Sequence, residues 1–206
     1  LKDKRVAIIG TGATAVQCIP HLGEWAKQLF VFQRTPSSCD VRNNAPTSPE
    51  WVKKLRPGWH QKRIENFNVM ASGGQQDQDE VSDGWTDIFR NMAIKTDPEA
   101  VKKLSKEEKD ILYELADFEK MQEIRDRAAA IVNDQATAEA LKPYYRQFCK
   151  RPTFHDDYLA AYNRPNVTLV DTRGMGVDRI TENGIVFDGR EYAVDCIIFA
   201  TGFEVG

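Results

Sequence analysis

The run Arg5-Val6-Ala7-Ile8-Ile9-Gly10-Thr11-Gly12-Ala13-Thr14-Ala15 constrains the fold more than any other stretch of this chain. Residues 6–9 form an unbroken apolar run behind a charged lead, which suits a strand buried on both faces of a parallel sheet. Glycines follow at once, and beyond them Val16, Ile19 and Leu22 recur at helical spacing. Pro20 lies inside that pattern and is expected to kink the helix or limit its length, because its ring removes an amide donor and crowds the preceding turn. A second β-type run at 29–33 closes a βαβ unit of about 30 residues.

Between a buried strand and a helix, the spacing G-x-G-x-x-A at 10–15 is the arrangement that cradles a pyrophosphate. Gly10 allows the tight turn, Gly12 lets the backbone approach the phosphates, and Ala15 still permits close packing of helix on strand. The N–H groups of Ala13 and Thr14 at the helix start can face the anion. The hydroxyls of Thr11 and Thr14, and Gln17 one turn later, can reach the same side. The second strand ends in Gln33-Arg34, where a site for NAD or FAD carries an acid for the ribose 2′-hydroxyl. A guanidinium there suits a 2′-phosphate, so the cofactor expected from these residues is NADPH. A solvent-facing arginine at a strand end is the plain alternative at this point.

After Arg34 the pattern changes, and from about 36 to 148 no convincing buried strand is expected. Pro36, Pro46, Pro49 and Pro57 break up the first part, and 72–80 reads as a loop. Helices are expected later, one capped by Asp97 with Pro98 and Glu99 behind it, another opened by the capping box Ser105-Lys106-Glu107-Glu108. Ile111, Leu112, Leu115, Phe118 and Met121 would give that second helix an apolar face as far as about Val132. Trp51, Trp59, Phe67, Trp85 and Phe89 are expected mainly in a core. The α/β pattern resumes with a helix at 156–162, strands at 167–170 and 185–187, turns at 181–184 and 188–190, and a last strand at 192–200. The expected fold class is therefore α/β: a Rossmann-like, glutathione-reductase-like dinucleotide-binding domain made of 1–35 and 149–206, interrupted by a helical insertion at 36–148.

A net charge of −3 over 206 residues and a pI near 5.7 leave no basic footprint for nucleic acid. No apolar run approaches the roughly 18 residues of a membrane span, and no secretory signal opens the chain. The cysteines lack C-x-x-C spacing and His21, His60 and His155 lie far apart, so no metal site is expected. Cys18 and Cys196 lie in apolar runs and are expected as buried, reduced thiols, which fits a cytoplasmic setting. Lys150-Arg151 ahead of Pro152 is a rigid cationic pair, equally suited to a cleft and to a surface. The chain begins with Leu1 and stops in a β-type run, so it is expected to be cut from something longer.

The segments KRVAIIGTGATAVQ, LFVFQRTPSS, CKRP and IIFATGF together resemble the NADPH-binding segment of Baeyer–Villiger monooxygenases, the class B flavoprotein monooxygenases. The stretches RTPSSCDVRN, NAPTSPEW and SDGWTDIF are most similar to the fungal-type subgroup acting on cyclic and polycyclic ketones. The resemblance implies that Thr11, Gly12, Ala13, Thr14, Ala15, Val16 and Gln17, with Arg34 and Thr35, hold NADPH. It implies that Lys150 assists NADPH recognition and that Arg151, also among the cofactor-binding residues, is catalytic, stabilising the flavin peroxide. It further implies FAD as second cofactor, bound mainly by an FAD domain of the same polypeptide that this sequence lacks, and a small ketone and O₂ as substrates. Two other readings remain, N- or S-oxygenation of soft nucleophiles and an NADP-binding module without catalysis.

Overall fold

The computed structural model describes residues 1–72, 74, 76–87 and 103–202. The chain opens with β1 (Arg5–Ile9), α1 (Ala13–Trp25), β2 (Gln28–Gln33) and the short β3 (Cys39–Asp40). Later come β4 (Thr153–Phe154), β5 (Val167–Asp171), β6 (Arg179–Ile180), β7 (Gly184–Phe187), β8 (Arg190–Ala193) and β9 (Cys196–Phe199). Four of these make a wholly parallel sheet in the order β5-β2-β1-β9. The protein is thus of mixed α/β type, built on a parallel sheet.

The alternation along β1 explains its unbroken apolar run. Val6 and Ile8 face α1 and join Leu29, Val31, Ala15, Val16, Ile19, Leu22, Tyr158 and Leu159 in one core. Ala7 faces the other way and packs with Phe32, Val170, Ile185 and Phe187, the last two from the antiparallel meander β6-β7-β8. With both faces covered, no position of the strand favours a polar side chain. Pro20 does not limit α1, which continues to Trp25 with Pro20 itself buried. Burial of the helix face offsets the one backbone bond that proline cannot make.

The structure departs from the sequence-based expectation in several places. The last strand, expected at 192–200, is two strands in two sheets: β8 belongs to the meander and β9 to the parallel sheet. The break falls at Asp195, whose carboxylate accepts from the Arg5 amide at 2.8 Å and from its guanidinium at 2.8 Å. A buried strand also lies inside 36–148, since Cys39–Asp40 pairs in parallel with Thr153–Phe154. Two residues are too short to leave a periodic signal. Trp51 and Trp59 are exposed, not core, and meet edge to face with centroids 5.5 Å apart. The buried cysteine is Cys39, whereas Cys18 and Cys196 are half-buried.

The helix Lys106–Ile131 begins with the expected capping box: the Glu108 amide donates to Ser105 Oγ at 3.2 Å, and the Ser105 amide to Glu108 Oε2 at 2.8 Å. Most of its expected apolar face is turned outward, with Ile111 57% exposed, Leu115 55% and Phe118 63%, whereas Leu112 is half-buried and Met121 is buried as expected. The inward positions include Asp117, Lys120, Met121, Ile124 and Arg125. Polar residues can point inward because partners meet them: Lys120 pairs with Asp87 at 3.0 Å, and Arg125 donates to the Pro143 carbonyl at 3.1 Å.

The described residues fall into two compact units, Leu1–Asp40 with Met121–Gly206, and Val41–Lys120. The first unit takes in residues 121–148, which pattern alone assigns to the insertion. The second contains the helices Pro49–Lys54, capped by Ser48, and Trp59–Ala71. The cap expected at Asp97, Pro98 and Glu99, the core place of Phe89 and the final stretch 203–206 lie outside the described residues. Among the described residues no helix is long and apolar enough to cross a membrane.

Candidate functional site

Because the strands of the sheet are parallel, β1, β2 and β9 end at the same edge. The connections run from β1 to β2 and β5 on one side, and β9 lies on the other side of β1. Open α/β sheets bind ligands in the crevice outside the strand ends at such a reversal of direction. At this edge β1 passes into Gly10, which has a φ of +106° and lies so close to β9 that an added Cβ would stand 2.4 Å from the Ala200 carbonyl oxygen. Only glycine satisfies both conditions.

Gly12 serves differently. It is the residue before α1, and a Cβ built there meets nothing within 4 Å. No side chain caps α1 and no acidic residue stands in its first turn. The helix start therefore presents its first-turn amides and the positive end of its dipole to open space. Ala15 and Val16 are buried against the sheet, with the Val16 amide closing the first helical bond to the Gly12 carbonyl at 2.9 Å. Thr14 is exposed, and Gln17 folds its amide back on the Ala13 carbonyl at 3.0 Å. Thr11 is buried, and its hydroxyl donates to the Thr35 carbonyl at 2.7 Å. The Ser37 hydroxyl donates to the Thr11 carbonyl. These two bonds lace the glycine-rich loop to the segment that follows β2.

That segment starts at Arg34, exposed at the end of β2. Lys150, far along the chain, comes to the same place: its ammonium lies 5.1 Å from the centroid of the Tyr145 ring. Burial, and then the Arg34 charge, hold the Lys150 pKa below its ordinary value. Tyr145 in turn donates its hydroxyl to the Pro36 carbonyl at 2.8 Å and accepts from the Ser38 amide at 2.9 Å. One cation thus begins the segment that follows β2 and the other rests on a ring bonded to that segment, which is itself laced to the loop before α1, an arrangement that suits a phosphate-bearing ligand. Arg151 follows Lys150 and is exposed.

Sequence reasoning did not single out Ser37 or Tyr145. Neither belongs to a local pattern, and Tyr145 reaches Pro36 across 109 positions. Burial pushes the Cys39 pKa up to about 11, which keeps that thiol protonated near neutral pH. Among the described residues no group of three or more His, Cys, Asp or Glu side chains is placed to hold a metal ion.

Fold and site together define a mixed α/β protein with a glycine-rich strand-to-helix loop and a cationic strand end. Over 206 residues the chain is 60% identical to neopentalenolactone D synthase of Streptomyces avermitilis, covering 99% of this chain and 34% of that protein. It is 56% identical over 204 residues to Baeyer–Villiger monooxygenase ATR8 of Stachybotrys chlorohalonatus, covering 99% of this chain and 33% of the relative. Among solved structures, the polycyclic ketone monooxygenase of Thermothelomyces thermophila is similar over 98% of this chain and 33% of its own, with a TM-score of 0.84 and 39% identity. OTEMO in complex with FAD and NADP is similar over 98% of this chain and 38% of its own, with a TM-score of 0.71 and 31% identity. No family model matches the chain. The chain spans about a third of the length of the curated relatives it matches. Over nearly its whole length the chain is thus similar to a segment of proteins that include a Baeyer–Villiger monooxygenase and a polycyclic ketone monooxygenase.

Proposed function

We propose that the chain is the NADPH-binding segment of an FAD-dependent Baeyer–Villiger monooxygenase. In this reading residues 1–35 and 149–206 form a Rossmann-like, glutathione-reductase-like dinucleotide domain, with residues 36–148 as a helical insertion. The observation that carries it is the lacing of the loop before the uncapped α1 to the segment that begins at Arg34, with Lys150 held over the Tyr145 ring bonded to the same segment. The residues present fit NADPH: the space over Gly12, which a Cβ would enter, admits a pyrophosphate, and a paired cation site answers the 2′-phosphate. Residues 11–17 would hold the pyrophosphate and its neighbourhood, and Arg34, Thr35 and Lys150 the 2′-phosphate side. The similar structures of OTEMO in complex with FAD and NADP support the same pair of cofactors.

When bound, NADPH supplies a hydride and FAD the oxygen-activating ring, so that ketone, O₂, NADPH and a proton give ester or lactone, NADP⁺ and water. FAD is held mainly by another part of the same polypeptide. Arg151 is the catalytic residue in this reading. Its planar cationic fork would stabilise negative charge developing beside the flavin. The substrate is a small-molecule ketone, with no role for nucleic acid or membrane. Four unpaired cysteines support a reducing, cytoplasmic setting.

Calorimetry with NADPH and NADH tests the cofactor assignment. A charge-assisted contact is worth roughly 1.5–3 kcal/mol, so Arg34→Ala is expected to weaken NADPH about ten- to a hundredfold and leave NADH unchanged. Equal losses for both would mean that Arg34 serves the fold or the pyrophosphate. In the complete enzyme, Arg151→Ala is expected to consume NADPH while releasing hydrogen peroxide in place of ester. Ester formation at the parental rate would remove Arg151 from the chemistry.

A further inference from the structure

We infer that Tyr145 is a positioning residue that holds both cations of the proposed 2′-phosphate site in place and thereby sets the preference for NADPH over NADH. The inference rests on the cofactor reading above. Three contacts carry it. The phenol oxygen is used twice, donating to Pro36 at 2.8 Å and accepting from the Ser38 amide at 2.9 Å, which fixes the backbone just beyond Arg34. The ring carries the Lys150 ammonium 5.1 Å from its centroid. On its other side the same segment is tied to the glycine-rich loop, through Thr11 to the Thr35 carbonyl and through Ser37 to the Thr11 carbonyl.

The physical need is clear. Arg34 and Lys150 repel one another, and a lysine stem is flexible enough to carry its charge out to water. The negative face of the Tyr145 ring offsets part of that repulsion and keeps the ammonium beside Arg34 before any phosphate arrives. A single side chain thus restrains one cation through the backbone and the other through its ring. Such preorganisation lowers the ordering cost of binding, and only for a ligand that carries the extra phosphate.

The test uses the full chain and the ratio of NADPH to NADH dissociation constants, which a residue of merely structural importance would not move. Tyr145→Leu removes ring and hydroxyl, and is expected to lower the preference for NADPH about three- to tenfold, with NADH affinity unchanged. Tyr145→Phe keeps the ring but loses both hydrogen bonds, and is expected to fall between the parent and the Leu variant. A folded Leu variant with the parental ratio overturns the inference. Should that variant fail to fold, NMR of the parent with ¹³C-methylated lysines still decides. The Lys150 signal, assigned by its loss in Lys150→Arg, is expected at a ring-shifted position and is expected to move with NADP⁺ but not with NAD⁺. An unshifted signal that ignores NADP⁺ overturns the inference. Arg34→Ala and Lys150→Ala distinguish the two levels. If neither changes the ratio, the cofactor reading itself falls; if both change it and Tyr145→Leu does not, only the role of Tyr145 falls.

Discussion

The two units of this chain are held together by different means. In the unit made of Leu1–Asp40 and Met121–Gly206, apolar side chains from alternate positions of the same strands fill a core on each face of the sheet. In Val41–Lys120, the buried side chains among the described residues are Met70 together with the polar Asn66, Thr86, Asp117 and Lys120. Asn66 donates to the Gln78 carbonyl at 2.7 Å and accepts from the Glu80 amide at 3.0 Å. Asp79 accepts from the amides of Val81 and Ser82 and from the Thr86 hydroxyl. The difference teaches that helical packing of this second kind depends on satisfied polar groups, each of which becomes a liability once its partner is removed.

The largest effect should come from the apolar side. Leu29 is fully buried in the α1 face of the core, and Leu29→Ala is expected to cost about 2–5 kcal/mol, read by urea unfolding of the full chain. A loss well under ~1 kcal/mol would mean that the sheet core is looser than its burial indicates. On the polar side, Asn66→Ala strands the Glu80 amide and the Gln78 carbonyl, and about 1–3 kcal/mol is expected. Hydrogen exchange sharpens the contrast: protection should fall within residues 59–87 and stay unchanged in β1 and β2. A fall that spread equally to both units would show one cooperative block in place of two ways of holding together.

The same contrast explains what could be read from the sequence. The βαβ start was legible because a strand buried on both faces must be apolar throughout, and because a phosphate loop needs backbone free of Cβ atoms at Gly10 and Gly12. The capping box at Ser105 was legible because its four residues are local. The outward stripe of Ile111 and Leu115 was not, since periodicity marks an apolar face without saying whether polar partners claim the interior. β3 was missed because it has two residues and its partner, Thr153–Phe154, lies far along the chain. At the candidate site, Arg34 drew attention because it stands where a site for NAD or FAD carries an acid. Tyr145 did not, because its worth lies in three contacts that only the folded chain brings together.

The smallest expected effect concerns a polar clasp at the edge of the apolar unit, where Asp195 ties the entry of β9 to the start of β1. Its carboxylate accepts from both the amide and the guanidinium of Arg5, and that hydrogen bonding holds its pKa down to about 2 from an ordinary 3.8. The folded value lies below the unfolded one, so the contribution is fully present above the unfolded pKa and is lost as pH falls through the folded one. Both side chains are solvent-accessible, so salt screens the pair and the effect is slight. Asp195→Asn keeps an oxygen for the Arg5 amide but removes the charge. Melting curves should therefore show the parent slightly more stable at neutral pH and low salt, with the gap narrowing below the unfolded value of 3.8, closing as pH drops through about 2, and shrinking as salt rises. A gap that ignored both pH and salt would mean that the clasp works through backbone geometry, and that charge plays no part in holding β9 to the sheet.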